Sequence, residues 1–270
     1  MKNKAIGVFD SGLGGLTTVK ELRKILPNEN IVYFGDTLRV PYGNRSPETI
    51  RKYATDDVNF LLKQNVKMII AACGTVSSVA VDLEKGFNVP FVKVLKPTAE
   101  AAFSVTKNKK IGVIGTSATI KTGSYKNELK KLDPTIEVFE KDCPLFVPLV
   151  ENGFIDDYAT TLIAEKYLLP LKDQKIDTLI LGCTHYPIIR STIEMVMGKD
   201  INIVDSGKET AKFAAKRLKD INILNDSHNN GKCLFFVSDS VETFSKTANI
   251  FLGKTLDGLI SKIDINQFSV

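Results

Sequence analysis

Short apolar runs alternate with amphipathic stretches along the whole chain. The runs occupy residues 5–9, 31–34, 67–72, 90–95, 110–115, 135–139, 177–182, 201–205 and 232–237, and their Val, Ile and Phe content and brevity read as strands. The stretches between them carry helix starts. In Ser46-Pro47-Glu48, for example, Ser46 can cap and Pro47 suits the first helical position. Strands alternating with helices predict an α/β fold of mainly parallel sheet with helices on both faces. Residues 225–231 are Asn, Asp, Ser, His and Gly without an apolar period, which predicts a surface loop.

One pattern repeats. Ile6-Gly7-Val8 is followed at a long interval by Cys73, and Ile111-Gly112-Val113 is followed at a similar interval by Cys183. Each cysteine ends an apolar run, Met68-Ile69-Ile70-Ala71-Ala72 before Cys73 and Leu179-Ile180-Leu181-Gly182 before Cys183. In open α/β sheets the carboxyl edge of the strands is where ligands bind. Two facing copies of one unit would set two equivalent thiols across one cleft.

Both thiols are expected at strand-to-helix junctions, where unpaired backbone N–H groups favour a thiolate and can hold a carboxylate. A single cysteine so placed is ordinarily a small buried hydrophobe; two in matching contexts point to chemistry. His185, two residues past Cys183, is either a satisfied helix-start histidine or a partner able to take and return the thiol's proton. Asp10-Ser11-Gly12-Leu13-Gly14-Gly15 lies between a strand and a helix but lacks dinucleotide spacing and carries an acid where phosphate would sit. It is either an ordinary capped turn or a contact for a small substrate. Glu151 ends the run Phe146-Val147-Pro148-Leu149-Val150, and taken alone it reads as a solvated helix-start residue. Cys143 and Cys233 lack such contexts and are expected to be structural, and His228 is expected on the surface.

Composition narrows the classes. With 270 residues, 43% of them hydrophobic, the chain can bury a large core as one domain or two. The net charge of +5 comes from dispersed lysines, and the densest cluster, Lys107, Lys109 and Lys110, is broken by Asn108, so no nucleic-acid partner is expected. Residues 1–4 are basic, but the apolar run after them stops at Asp10. No signal peptide or membrane span is expected, and the expected location is cytoplasmic. Four separated cysteines without a C-x-x-C pair, and two histidines, suggest neither a metal site nor a disulfide framework.

Taken together, Ile6-Gly7-Val8-Phe9-Asp10-Ser11-Gly12 with Gly14-Gly15, then Gly35-Asp36, Val40-Pro41-Tyr42-Gly43 and Leu181-Gly182-Cys183-Thr184-His185-Tyr186-Pro187 resemble the glutamate racemases over almost the whole chain. The resemblance implies two pseudo-symmetric lobes, residues 1–95 with 208–270 and residues 96–207, and one active site in the cleft between them. It implies L- and D-glutamate as substrate, no pyridoxal phosphate or other cofactor, a homodimer, and a supply of D-glutamate for peptidoglycan. By motif, Cys73 and Cys183 would be the acid/base pair, with Asp10 assisting the first and Glu151 and His185 the second. Ser11, Pro41, Tyr42, Gly43, Gly74, Thr75, Thr116, Thr119 and Thr184, with Asp10 and His185, would surround the substrate carboxylates and ammonium. An aspartate racemase, or a silent binding protein that kept the cleft, would share the fold; separated single cysteines serve a redox role poorly.

The chain departs from the resemblance at Gly74, where the family commonly carries Asn. The backbone N–H of Gly74 or a water is expected to replace the amide, affecting affinity more than reaction, and asparagine is expected to be tolerated there. Activation by a cell-wall precursor through a long N-terminal extension is not expected.

Overall fold

The computed structural model describes residues 1–252, 256 and 259–269 as two parallel sheets flanked by helices. The strands are β1 (Ile6–Asp10), β2 (Ile31–Gly35), β3 (Met68–Ala71), β4 (Phe91–Lys93), β5 (Lys110–Gly115), β6 (Glu137–Asp142), β7 (Thr178–Leu181), β8 (Asn202–Asp205), β9 (Cys233–Val237) and β10 (Leu259–Lys262). One sheet has the order β10-β9-β2-β1-β3-β4, the other β6-β5-β7-β8. Every residue of β1, β2 and β3 is buried, as central parallel strands covered on both faces require.

The two sheets repeat one arrangement. In each, a central strand (β1 or β5) pairs with the next strand on one side and the following one on the other. Register repeats too: Phe9 lies beside Ala71, and Ile114 beside Leu181. Cys73 and Cys183 each come two residues after the second member of these pairs, so they hold equivalent positions.

Each expected apolar run forms a strand, with two differences. β6 starts and ends later than expected, because Glu137–Asp142 is the segment that pairs along the full length of β5. β10 is a strand the apolar pattern did not announce. It is a short edge strand paired, among the described residues, only to β9, and Leu259 is 71% exposed, so little burial pressure shaped its sequence.

Helix Pro47–Lys63 starts as its sequence suggests: Ser46 Oγ accepts from Thr49 N at 3.3 Å, and Pro47 is the first residue. Helix Leu16–Ile25, which follows β1, packs on helix Ser206–Asp220, which follows β8, and so ties the sheets together. One apolar cluster joins Ile6, Val8 and Tyr33 of the larger sheet to Ile114, Leu179 and Leu181 of the smaller. Burial of each such side chain stabilises by roughly 1.5–3 kcal/mol. Among the described residues, no helix is long and apolar enough to cross a membrane.

Residues 225–231 are irregular and His228 is exposed, as expected, but Asn225 is buried. Its N–H donates to Glu29 Oε1 at 2.7 Å, and Glu29 Oε2 lies 2.6 Å from Lys67 Nζ. Lys67 also donates to the Ile223 carbonyl at 2.9 Å. Removing one partner of a buried, hydrogen-bonded pair strands the other charge. Lys67→Met should therefore lower unfolding free energy in urea by about 3–5 kcal/mol. A loss within the range of ordinary surface substitutions would contradict this account.

Candidate active site

The site is built where the strands end. Cys73 leaves β3 and stands just before helix Gly74–Val79. Cys183 leaves β7 but is followed by a turn and the short 3₁₀ helix Tyr186–Ile189 before helix Arg190–Met197 begins. The expected helix start at the second thiol is therefore corrected: Pro187 and the Cys183–Tyr186 turn, closed by Tyr186 N donating to Cys183 O at 3.2 Å, delay the α-helix.

Both thiols border one cavity of about 300 Å³. Of the residues singled out by sequence, Ser11, Pro41, Tyr42, Gly43, Gly74 and Thr75 border it from the larger-sheet side. Thr116, Glu151, Thr184 and His185 border it from the other. Asp10 and Thr119 lie behind this lining, both buried. Tyr42 meets the cavity without offering its hydroxyl, which is held by Asp36 at 2.5 Å and Asp57 at 3.0 Å. A row of hydroxyls spans the cavity wall: Thr75 Oγ1 is 3.0 Å from Thr116 Oγ1, which is 3.0 Å from Thr119 Oγ1.

Gly74 is where the two strand ends meet. A Cβ on this residue would run into the carbonyl oxygen of Gly182, a backbone atom that cannot swing aside. The expectation that asparagine would be tolerated here is thus corrected, because any side chain requires the strand ends to separate.

The two thiols have opposite surroundings. Cys73 Sγ is 3.6 Å from Ser11 Oγ; burial first, and then the charge of Asp10, push its thiol up to about 12. Asp10 is itself raised, by burial above all, although the positive charge of His185 and hydrogen bonds from Gly15 and Gly12 offset part of this. On the other side, Cys183 Sγ is 3.9 Å from His185 Nδ1, and His185 Nε2 is 2.9 Å from Glu151 Oε1. Burial works against a charged His185, but its contacts with Cys183 and Glu151 outweigh this and raise it to about 10. Thr184 Oγ1 reaches Asp10 Oδ1 at 3.4 Å and links the two sides. The arrangement can hold a neutral thiol on one wall and offer a cation to a thiolate on the other.

Glu151 closes helix Phe146–Glu151 instead of opening one, and it is aimed at His185. Val147 and Pro148 from the same helix, with Pro144, also border the cavity. Their signal was present in the helical spacing of Val147, Pro148 and Glu151. Asn44 and Ser117 were missed although each adjoins an expected residue, and Val40 completes the rim. Cys143 is buried as expected, yet it too borders the cavity. Among the described residues, no group of three or more His, Cys, Asp or Glu could hold a metal ion.

Residues 15–214 match the Asp/Glu/Hydantoin racemase family. The chain belongs to that family. It is 48% identical to a glutamate racemase of Chlorobaculum tepidum over 253 residues, 93% of either chain. Among solved structures it is similar to a glutamate racemase isoform from Bacillus anthracis, with a TM-score of 0.94 and 39% identity over 98% of each chain. A glutamate racemase from Francisella tularensis solved in complex with D-glutamate gives a TM-score of 0.92 at 37% identity, over 99% of this chain and 100% of that one.

Two outcomes follow from this geometry. Gly74→Ala should destabilise the fold by about 1–3 kcal/mol through overpacking, and a thermal melt unchanged from the parent would show that the strand ends can part freely. Glu151→Gln removes one of the two influences that raise His185, so the ring should lose its proton at lower pH. NMR titration of the His185 ring measures this, and a midpoint that stays put or moves upward contradicts the pairing.

Proposed function

We propose that the protein is a cofactor-independent glutamate racemase that interconverts L- and D-glutamate by two-base proton transfer at Cα. The observation that carries this reading is that Cys73 and Cys183, equivalent by strand register, border the same cavity. The D-glutamate complex of the Francisella tularensis relative supports glutamate as the ligand.

The Cα hydrogen of an amino acid is a very weak acid. Removing it without an electron sink requires a base desolvated together with the substrate, and fixed donors where charge develops. The cavity supplies both: Cys73, Cys183, Thr75, Thr184 and His185 on its walls are buried, and the hydroxyls of Ser11, Thr75, Thr116 and Thr184 face or flank it. Inverting the centre needs a base on one face and an acid on the other. A single group would have to move between faces; two thiols need not. One must be thiolate while the other is thiol, and the two exchange states in each turnover.

In this reading Cys183 takes the proton from L-glutamate and Cys73 takes it from D-glutamate. His185, oriented by Glu151, gives a thiolate at Cys183 its counter-charge and can return a proton. Burial raises Asp10, so its carboxylate is a stronger base than an exposed one and is the acceptor available when Cys73 must lose its proton. Ser11, Pro41, Tyr42, Gly43, Gly74, Thr75, Thr116, Thr119 and Thr184 form the substrate's surroundings, Tyr42 and Thr119 by supporting the others. The lobes are residues 1–95 with 208–270, and 96–207. We place the protein in the cytoplasm as a homodimer supplying D-glutamate for peptidoglycan.

Circular dichroism of L-glutamate should decay towards zero on adding purified protein without any cofactor. Cys73→Ala and Cys183→Ala should each reduce this rate by about 10²–10⁴-fold or more while leaving the fold intact. The route of the proton is visible in D₂O. Starting from L-glutamate, early D-glutamate should carry deuterium at Cα while unreacted L-glutamate stays protiated. Mass spectrometry of chirally separated glutamate at low conversion measures both, and equal labelling of the two enantiomers would rule out opposed thiols.

A further inference from the structure

Behind the turn Tyr42–Asn44, three carboxylates gather around one guanidinium. Arg39 Nε is 2.5 Å from Asp36 Oδ2, Nη1 is 2.7 Å from Asp56 Oδ2, and Nη2 is 3.1 Å from Asp57 Oδ1. The Tyr42 hydroxyl touches Asp36 Oδ2 at 2.5 Å and Asp57 Oδ2 at 3.0 Å. Ser238 Oγ donates to Asp36 Oδ1 at 2.8 Å, and Ser269 Oγ donates to Asp56 Oδ2 at 3.0 Å. The Tyr53 ring lies under the Arg39 guanidinium, 4.1 Å from centroid to Cζ. All three carboxylates are buried.

The protons in this cluster can be counted. A phenol has one hydrogen, so Tyr42 donates to only one of the two carboxyl groups it touches. Were both ionised, the other contact would set lone pair against lone pair in a site buried from bulk solvent. Asp36 already accepts from Arg39 and Ser238, on both of its oxygens, and Asp56 meets donors in Arg39 and Ser269. Among the described residues, Asp57 has Arg39 at Oδ1 and only Tyr42 at Oδ2. We propose that Asp57 is a neutral carboxylic acid whose Oδ2–H donates to Tyr42 while Tyr42 donates to Asp36, and that this relay positions the turn bordering the cavity. Burial, and then the negative charge of Asp36, push Asp57 well above the usual carboxylate range, in the same sense as the proton count.

The turn is sensitive to that anchor. Gly43 packs so closely on Thr116 that a Cβ added to it would lie 3.1 Å from Thr116 Cβ, and Thr116 in turn bonds Thr75. Loss of the Asp57 proton would put a second anion against Tyr42 and Asp36 and loosen the turn. Asp57 is thus a positioning residue that acts on substrate binding through Tyr42, and its effect belongs to the alkaline side. The kinetic consequence rests on the racemase reading; the protonation state does not.

The first arm of the test needs no activity. In protein labelled with ¹³C at aspartate carboxyls and sequentially assigned, the Asp57 signal should keep the protonated chemical shift through neutral pH. An ionised shift at neutral pH overturns the proposal. The second arm is kinetic. Asp57→Ala should raise KM for glutamate about tenfold with little change in kcat, the effect of losing one buried hydrogen bond on binding. Asp57→Asn, whose amide can donate to Tyr42 as the acid does, should recover most of that loss and flatten the rise of KM with pH. An Asp57→Asn protein that folds but is as impaired as Asp57→Ala overturns the relay even if the substrate assignment stands.

Discussion

The backbone contact between Gly74 and Gly182 sets the scale of everything around it. Side chains adapt by changing rotamer, but a carbonyl oxygen held in a strand-end loop cannot. With no Cβ at residue 74, the ends of β3 and β7 lie in direct contact here, and Cys73 and Cys183 border one small cavity. Gly14 enforces the same closeness from the first loop, where a Cβ would collide with Thr184 Oγ1. The apolar cluster shared by the two sheets holds this approach in place.

The fold repeats itself but the charges do not. By register, Thr75 on one side answers to His185 on the other, and Ser11 answers to Thr116. The first thiol therefore has a carboxyl group behind it and the second an imidazolium beside it. The proposed reaction, whose two substrates are mirror images, needs geometric symmetry, yet with two thiols as acid and base it also needs one protonated and the other not. A duplicated scaffold with unlike neighbours meets both demands at once.

Much of this was legible in the residues because the strongest signals come from short range. Buried parallel strands must be continuous apolar runs, so β1, β3, β5 and β7, and with them the places of Cys73 and Cys183, could be read directly. Ser46 and Pro47 fixed a helix start by local hydrogen bonding alone. What escaped was decided by partners distant in sequence. The intolerance of residue 74 comes from Gly182 and the orientation of the Tyr42 hydroxyl from Asp36 and Asp57, while the residues around Glu151, read without the resemblance, gave no sign of its contact with His185. β10 was missed because an exposed edge strand has no periodic burial to record.

The larger sheet draws its strands from both ends of the chain, with β9 lying against β2, while β5 to β8 form a sheet from one continuous segment. Local pairing closes small loops at little entropic cost; pairing residues 31–35 with 233–237 closes a loop of about three-quarters of the chain. During synthesis on the ribosome the smaller sheet can therefore be complete while β2 still presents an open hydrogen-bonding edge. That edge is a template for other strands until the last segment emerges to cover it, so vulnerability to aggregation is concentrated in the final part of translation.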